Sequence, residues 1–290
     1  MESVLFIFIW EMWYNGSMKK NEIVFKTDKE DILSEFIKTK VPKRFYRFLK
    51  SSQALVLVND QEVEWYKHIE KNSIVKIIFE TKEKEVVWPK ANKFPRIVFE
   101  NENYLIVNKE SGLLTIPTKA NPHSLYQELV SYLGAQEIHI LNRLDKETSG
   151  LVVVAKNRYA AALLEPTHEH IVRKYLCLVE GVITEDGLID NFIVKKEDSN
   201  QRYVHTMGQR AVSHYKVVEN YKESTLLEFT LETGRTHQIR VHTSYMGHPI
   251  LGDTLYGGKE NSVFCLTSYF VEFTDPFTKE RILYRIEKEW

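Results

Sequence analysis

The segment LNRLDKETSGL (residues 141–151) places two opposite charges, Arg143 and Asp145, two positions apart in a short polar stretch. Apolar runs flank this stretch, IHIL before it and LVVVA after it, which predicts a loop between core strands. One interpretation is a turn with a salt bridge. The other is a catalytic carboxylate, since a cation near an aspartate favours its charged form. The other motifs of the chain must decide between the two.

A second arginine, Arg235, ends the glycine-containing sequence ETGR just before a predicted helix, Thr236–Met246, which has the threonine as its N-cap. Backbone N–H groups, the helix dipole and a guanidinium converge at such a position and favour an anion. The anion can be a phosphate or a carboxylate such as Asp145. Within the helix, His237 and Arg240 share a face because they are three positions apart.

Several other kinds of active site find no support in the sequence. His237 and His242 are five positions apart with no glutamate between them, unlike a zinc-protease motif. The two cysteines, Cys177 and Cys265, form no CxxC pair, which fits a reducing cytoplasm and two small buried thiols. Phosphate-binding loops, dinucleotide fingerprints and GxSxG elbows are absent from the sequence. We therefore expect neither a metal nor a cofactor.

The composition is that of an ordinary globular protein, with 290 residues, 43% hydrophobic and 27% charged, and a net charge of −1. Any nucleic-acid contact must therefore rest on local basic patches. The apolar run Val4–Trp10 is too short to span a membrane, and no cation precedes it as in a signal peptide. Residues 1–21 are predicted to be an N-terminal extension outside the fold, with Met18 as a more natural start.

A boundary between two domains is predicted at residues 81–94, where a charge run and prolines interrupt the apolar pattern. A small domain, 22–80, precedes it, and a larger one, 95–290, follows. The larger domain contains eight strand-like runs and only three predicted helices: 124–133, 157–168 (with Asn157 as N-cap) and Thr236–Met246. Many strands with few helices predict an α+β class with a mixed, mainly antiparallel sheet.

The small domain is predicted to contain two short helices followed by strands, and its second helix lies in a basic run, Lys38–Lys50. This run has no acidic residue, and aromatic residues lie between its charges. Cations that meet phosphates release counterions, which is the main electrostatic source of RNA affinity. A solvated helix face is the alternative. The arrangement resembles the RNA-binding domain first known from ribosomal small-subunit protein S-four, which makes RNA-binding candidates of Lys43, Arg44, Arg47 and Lys50.

Three motifs of the larger domain, taken in order, resemble the RluA-type pseudouridine synthase family. They are NRLDKETSGLVVVAKN, RKYLCLVEG and LETGRTHQIRVHTSYMGHPILGDTLYG. A fourth stretch, VNKESGLLTIP, resembles the opening strand and loop of that family. The resemblance covers about residues 95–275. The family usually has His before Arg-Leu-Asp, whereas this chain has Asn142, which keeps a hydrogen-bonding side chain but cannot carry a charge.

The resemblance implies isomerisation of uridine in RNA to pseudouridine without cofactor or metal. Asp145 would act either as a nucleophile at the sugar or as a base at its carbon 2, and Arg235 would help to keep it charged. Tyr175 would stack on the extruded uracil, whose removal from the stack costs a few kcal/mol. Arg143 would fill the space that the base leaves. The implied catalytic residues are Asp145, Tyr175 and Arg235, and the implied substrate-binding residues are Arg143, Asn142, His237, Arg240 and Lys109.

Two other functions are compatible with parts of this pattern. A non-catalytic RNA-binding protein would use the basic domain on an inactive scaffold, but Asp145, Tyr175 and Arg235 are all present. A glycoside hydrolase generally pairs two catalytic carboxylates. The motifs assign this role to Asp145 alone, although Glu147 and Glu232 are nearby in sequence. We expect the RNA to be ribosomal because of the appended RNA-binding domain, with transfer RNA as the alternative. We also expect a cytoplasmic monomer without membrane contact.

Overall fold

The chain divides into two units, residues 1–88 and residues 89–290. The division falls within the segment 81–94 that the sequence predicts as a linker. The computed structural model describes residues 18–82, 91, 93–118, 121–134, 138–164, 171–288 and 290. Residues 1–17, where the sequence places most of an N-terminal extension, lie outside the described residues.

The smaller unit consists of an antiparallel sheet and two short helices. Its strands are β1 (Met18–Lys26), β2 (Asp31–Ile32), β3 (Leu55–Val58), β4 (Gln61–Glu62), β5 (His68–Ile69) and β6 (Ile74–Lys82), and its helices are α1 (Leu33–Lys40) and α2 (Lys43–Ser51). The sheet order is β1-β6-β3-β4, while β2 pairs with β5. The prediction that an extension runs to residue 21 is wrong, because β1 begins at Met18 and pairs with β6 along its whole length.

Helix α2 is amphipathic and presents its cations to solvent. Pro42 precedes the helix, and Phe45 and Leu49 on its inner side are buried in the core of the unit. The side chains on its outer side are exposed: Lys43, Arg44, Arg47 and Lys50. The predicted basic face is therefore a solvent-facing surface.

The described residues of the larger unit form an eleven-stranded sheet and three α-helices. Its strands are β7 (Arg96–Glu100), β8 (Tyr104–Lys109), β9 (His139–Ile140), β10 (Ser149–Ala155), β11 (Val172–Glu180), β12 (Gly187–Lys195), β13 (Arg202–Val204), β14 (Gln209–Asn220), β15 (Ser224–Leu231), β16 (Leu266–Thr274) and β17 (Arg281–Arg285). Its helices are α3 (Leu125–Leu133), α4 (Arg158–Leu164) and α5 (Gln238–Tyr245), with a short 3-10 helix at Thr254–Tyr256.

The order of the main sheet is β13-β12-β14-β15-β11-β16-β10-β8-β7, with β9 beside β10 and β17 beside β16. Among the described strands, the pair β10–β16 is parallel and the other pairs are antiparallel. The predicted α+β class with a mixed, mainly antiparallel sheet is therefore confirmed.

Two of the three predicted helices begin where the sequence predicts. The Ser124 hydroxyl accepts a hydrogen bond from the backbone N–H of Gln127 (3.3 Å) at the start of α3. The Asn157 side chain accepts one from the N–H of Ala160 (2.7 Å) before α4, and residues 165–168 of that prediction lie outside the described part of the chain. The third prediction is partly wrong, because α5 begins at Gln238 rather than at Thr236.

Strand β10 follows the Asp145 loop directly and lies in the centre of the unit. Every residue of Ser149–Ala155 is buried, so the strand is covered on both faces. Val152 and Val154 join the core that includes α3 and α5, whereas Leu151 and Val153 join the core that includes α4. Full burial of each such side chain contributes roughly 1.5–3 kcal/mol. The end of the loop is thereby fixed to the most buried part of the fold.

Gly150 is needed where β10 leaves the loop and meets β16. Its φ is +113°, and a Cβ added there would lie 2.2 Å from the carbonyl oxygen of Ser268. Gly134 also has a positive φ (+55°), but a Cβ there would meet no atom within 4 Å. We expect Gly134→Ala to lower the free energy of unfolding by about 1–2 kcal/mol through backbone strain alone.

We expect Gly150→Ala to lower the free energy of unfolding by about 2 kcal/mol or more beyond the effect of Gly134→Ala, because backbone strain and a collision with β16 add together. Thermal melting of the two variants, followed by circular dichroism, compares them directly. Equal melting temperatures would show that β10 and β16 do not approach each other this closely.

Candidate active site

Seven of the residues that the sequence predicts for the site line one cleft of about 470 Å³ in the larger unit. The loop before β10, strand β11 and the loop between β15 and α5 form most of its walls. The sequence-predicted residues that line it are Asn142, Arg143, Asp145, Tyr175, Arg235, His237 and Arg240. Segments more than 90 residues apart in sequence thus converge on Asp145.

The Asp145 carboxylate lies where burial disfavours its charge. Burial raises its pKa above the ordinary value, and the negative charge of Asp253 acts in the same direction. Three cations oppose this rise, with Arg240 first, then Lys109, then Arg143. Arg240, which the sequence assigns to substrate binding, is therefore the principal cation that opposes the rise in the pKa of Asp145.

Arg240 is held by a buried bidentate ion pair. Its Nε donates to Asp253 Oδ2 (2.8 Å) and its Nη2 donates to Asp253 Oδ1 (2.6 Å). The two side chains are only 7% and 1% exposed. The guanidinium also lies over the rings of Tyr256 and Phe264, at 4.9 Å and 5.1 Å from their centroids. Because the ion pair fixes the guanidinium, its positive charge acts on Asp145 from a constant position.

Arg235 occupies a different position, at the exposed rim of the cleft. Its Nε donates to the backbone carbonyl of Arg210 (3.0 Å), which anchors the guanidinium on β14. It does not rank among the charges that shift the pKa of Asp145. The geometry therefore suits Arg235 for contact with an entering anion better than for control of the carboxylate.

Gln238 shapes the loop that carries Arg235. Its Oε1 accepts hydrogen bonds from the Arg235 N–H (2.9 Å) and the Thr233 hydroxyl (2.8 Å), while its Nε2 donates to the Val212 carbonyl (2.9 Å). These bonds replace the cap that the sequence assigns to Thr236. The sequence alone assigns no role to Gln238, because a glutamine in the first turn of a helix does not by itself indicate one.

Lys109 lies behind the loop and not in the cleft. It is fully buried, and its ammonium group donates to three backbone carbonyls: Glu110 (2.9 Å), Leu113 (2.7 Å) and Lys146 (3.0 Å). All three of its protons are thus used. Burial lowers its pKa to about 8. The structure therefore places Lys109 as a support for the Asp145 loop and not as the substrate contact that the sequence suggested.

Asn142 lines the cleft, yet both polar atoms of its amide are bonded to β10. Its Nδ2 donates to the Leu151 carbonyl (3.2 Å), and its Oδ1 accepts from the Val153 N–H (2.7 Å). The amide thereby pairs with the strand as a neighbouring backbone would. It fixes the start of the loop, while Lys109 fixes its middle.

Tyr175 and apolar side chains form the inner wall of the cleft. The Tyr175 ring is 7% exposed, and burial raises the pKa of its hydroxyl, so the phenol stays protonated at neutral pH. Its register on β11 places it opposite Ser268 on one side and Phe229 on the other. Ile239 and Leu266 line the same cleft. A planar base would find a ring and aliphatic carbons there.

The partners Asp253 and Tyr256 were not assigned roles from the sequence. Both stand in the stretch GDTLYG, which belongs to the third motif, but neither its residue types nor its spacing indicates a contact with Arg240.

Within the described ranges, no three His, Cys, Asp or Glu side chains come together as a metal site requires. No helix in the described part of the chain is long and apolar enough to cross a membrane.

The chain contains a matched pair of bidentate Arg–Asp contacts that differ in burial. Asp253 with Arg240 is buried, whereas Asp190 with Arg210 (2.9 Å and 2.5 Å) is exposed. We expect Asp253→Asn to lower the free energy of unfolding by about 3–5 kcal/mol, because it leaves Arg240 buried without its counter-ion. Asp190→Asn should leave the melting temperature nearly unchanged, because water screens that pair. Equal effects in thermal melting would contradict the role of burial.

A family model described as RNA pseudouridylate synthase matches residues 103–245. An uncharacterised RNA pseudouridine synthase of Aquifex aeolicus is 32% identical over 93% of this chain and 95% of that protein. The ribosomal large subunit pseudouridine synthase D of Haemophilus influenzae is 34% identical over 64% of this chain and 60% of that protein. The solved structure of human RNA pseudouridylate synthase domain containing 1 shares the fold, with a TM-score of 0.58 and 22% identity over 69% of this chain and 86% of that one. The chain therefore belongs to the RluA-type pseudouridine synthase family, isomerases that act on RNA.

Proposed function

We propose that this protein isomerises uridine to pseudouridine in ribosomal RNA of the large subunit, with Asp145 as its catalytic carboxylate. The observation that carries the proposal is the placement of Asp145 in the cleft, where burial disfavours its charge and the fixed guanidinium of Arg240 opposes that effect. The similarity to the Haemophilus influenzae enzyme, which is named for the large ribosomal subunit, supports this choice of RNA.

The residues of the cleft have distinct tasks in this proposal. Tyr175 stacks on the extruded uracil, and Arg143, which is exposed at the loop, occupies the place that the base leaves in the RNA. Asp145 then either attacks the sugar or takes the proton from its carbon 2. Both routes need the ionised carboxylate, which Arg240 favours. Arg235 at the rim contacts the RNA backbone.

We expect Asp145→Asn to reduce formation of pseudouridine by at least about 10²-fold, because the amide can be neither nucleophile nor base. The assay uses unmodified large-subunit ribosomal RNA transcribed in vitro, and chromatography with mass spectrometry quantifies the isomerised nucleoside. Glu147→Gln is the matched control, since it makes the same change two positions away on a side chain that is 44% exposed. Its activity should remain close to that of the wild type.

Pseudouridine mapping in cells that lack the protein tests the choice of RNA. A large-subunit position should lose its pseudouridine, and the wild type should restore it while Asp145→Asn should not. A loss confined to transfer RNA would overturn the ribosomal assignment and leave the reaction intact. No loss in any RNA would contradict the enzymatic proposal.

We further propose that the smaller unit binds RNA through the exposed face of α2. Lys43, Arg44 and Arg47 are exposed on that face, and the first turn of the helix contains no acidic residue. Lys50 is also exposed, but its ammonium group lies 4.0 Å from the ring centroid of Trp65. Lys43 and Arg47 therefore offer the more direct phosphate contacts.

We expect the double variant Lys43→Gln/Arg47→Gln to weaken RNA binding and to reduce the slope of log K against log salt by about 1–2, because each lost phosphate contact removes about 0.7–0.9. The turnover rate at saturating RNA should not change, since α2 takes no part in the chemistry. Binding titrations at several salt concentrations measure the affinity and the slope, and the pseudouridine assay at saturating RNA measures the turnover rate. Lys71→Gln, an exposed lysine outside α2, is the control. An unchanged slope in the double variant would rule out phosphate contact by α2.

A further inference from the structure

The phenol of Tyr256 links strand β13 to the start of α5. Its oxygen accepts a hydrogen bond from the backbone N–H of Arg202 (2.8 Å) and lies 2.7 Å from Nδ1 of His237. The two rings meet edge to face, with centroids 5.6 Å apart and an interplanar angle of 89°. His237 is thus held by one edge of its ring, although its backbone has a left-handed φ of +58°, which is uncommon for a residue other than glycine.

These contacts favour one of the two neutral tautomers of His237. The Tyr256 oxygen accepts the Arg202 N–H, and among the described residues Nδ1 is the acceptor that its own proton can reach. The arrangement therefore favours donation from the hydroxyl to Nδ1. A neutral imidazole that accepts at Nδ1 carries its hydrogen on Nε2.

The surroundings of His237 keep the ring neutral. Burial lowers its pKa to about 4, and the positive charges of Arg240 on α5 and Arg202 on β13 act in the same direction, against a weaker opposing effect of Asp253. The ring lines the cleft that contains Asp145. Its Nε2 forms no hydrogen bond with any described residue, and it is not sealed from solvent. An uncharged N–H donor is thereby available to the contents of the cleft.

We propose that His237 binds the target nucleotide by donating its Nε2–H to an acceptor oxygen, either a uracil carbonyl or a phosphate, and that Tyr256 is the positioning residue that fixes this tautomer. The proposal rests on the proposed function of the cleft. A neutral donor has a physical advantage beside Asp145, since it can bind the nucleotide without forming an ion pair with the carboxylate.

Two variants of the full chain test the donor. His237→Ala removes it and should lower kcat/KM for pseudouridine formation on unmodified large-subunit ribosomal RNA by about 3- to 10-fold, the effect of one hydrogen bond. His237→Gln, which restores a neutral N–H, should recover most of this loss. Melting temperatures close to that of the wild type would separate the loss from misfolding. Equal activity of His237→Ala and the wild type would overturn the proposal.

Tyr256→Phe tests the positioning role. It keeps the ring beside Arg240 but removes the donor to Nδ1, so His237 can exchange tautomers. We expect kcat/KM to fall about 2- to 10-fold in the wild-type chain, and not to fall when the same change is made in the His237→Gln chain, which has no tautomer to fix. Tyr245→Phe on the exposed side of α5 is the control and should match the wild type. An equal fall in both chains, or no fall in either, would contradict the assignment.

The source of the acceptor oxygen is found with altered RNA. Transcripts with 2-thiouridine or 4-thiouridine replace one uracil carbonyl oxygen with sulfur, a weak acceptor, and phosphorothioate transcripts replace a phosphate oxygen. The ratio of wild-type to His237→Ala activity should approach one only on the transcript that lacks the bonded oxygen. An unchanged ratio on all of them would overturn the proposal, whereas an inactive wild type would instead overturn the proposed function.

Discussion

The electrostatics of the cleft centre on a carboxylate whose charge is disfavoured by burial. Removing a carboxylate from water raises its pKa, and a nearby cation of fixed position opposes this rise. Arg240 holds such a position because Asp253 takes two of its N–H groups and two aromatic rings cover its guanidinium. The negative charge of Asp253 also raises the pKa of Asp145 slightly, so the pair restrains the cation at the expense of part of its electrostatic effect.

The loop itself is fixed by contacts that do not enter the cleft chemistry. Asn142 pairs with the backbone of β10 at the start of the loop, Lys109 donates to a carbonyl in its middle, and Gly150 allows β10 to approach β16 at its end. Together they leave few alternative conformations to the residues between them, among them Asp145. A short polar segment can therefore hold a reactive group as precisely as a strand would.

The sequence predicts well what depends on local pattern. Strand alternation and the cap at Asn157 indicate the α+β class and the start of α4, and the motifs bring Asp145 and Tyr175 to one site. The remaining features depend on long-range contacts that spacing does not reveal. The start of α5 is decided by hydrogen bonds of Gln238 to the preceding loop and to β14. Lys109, which the resemblance assigned to substrate binding, is bonded instead to three backbone carbonyls that come from separate parts of the sequence.

The near-neutral net charge of −1 is compatible with an RNA substrate because the exposed and the buried cations occupy different places in the fold. Arg240 and Lys109 are buried, with Arg240 bonded to Asp253 and Lys109 bonded to backbone carbonyls. The exposed cations, Arg143 and Arg235 at the cleft and the face of α2 in the smaller unit, remain available to the RNA backbone. Overall charge therefore carries little information on this class of substrate. The separation of exposed from buried cations carries more, and it becomes visible only when the chain is folded.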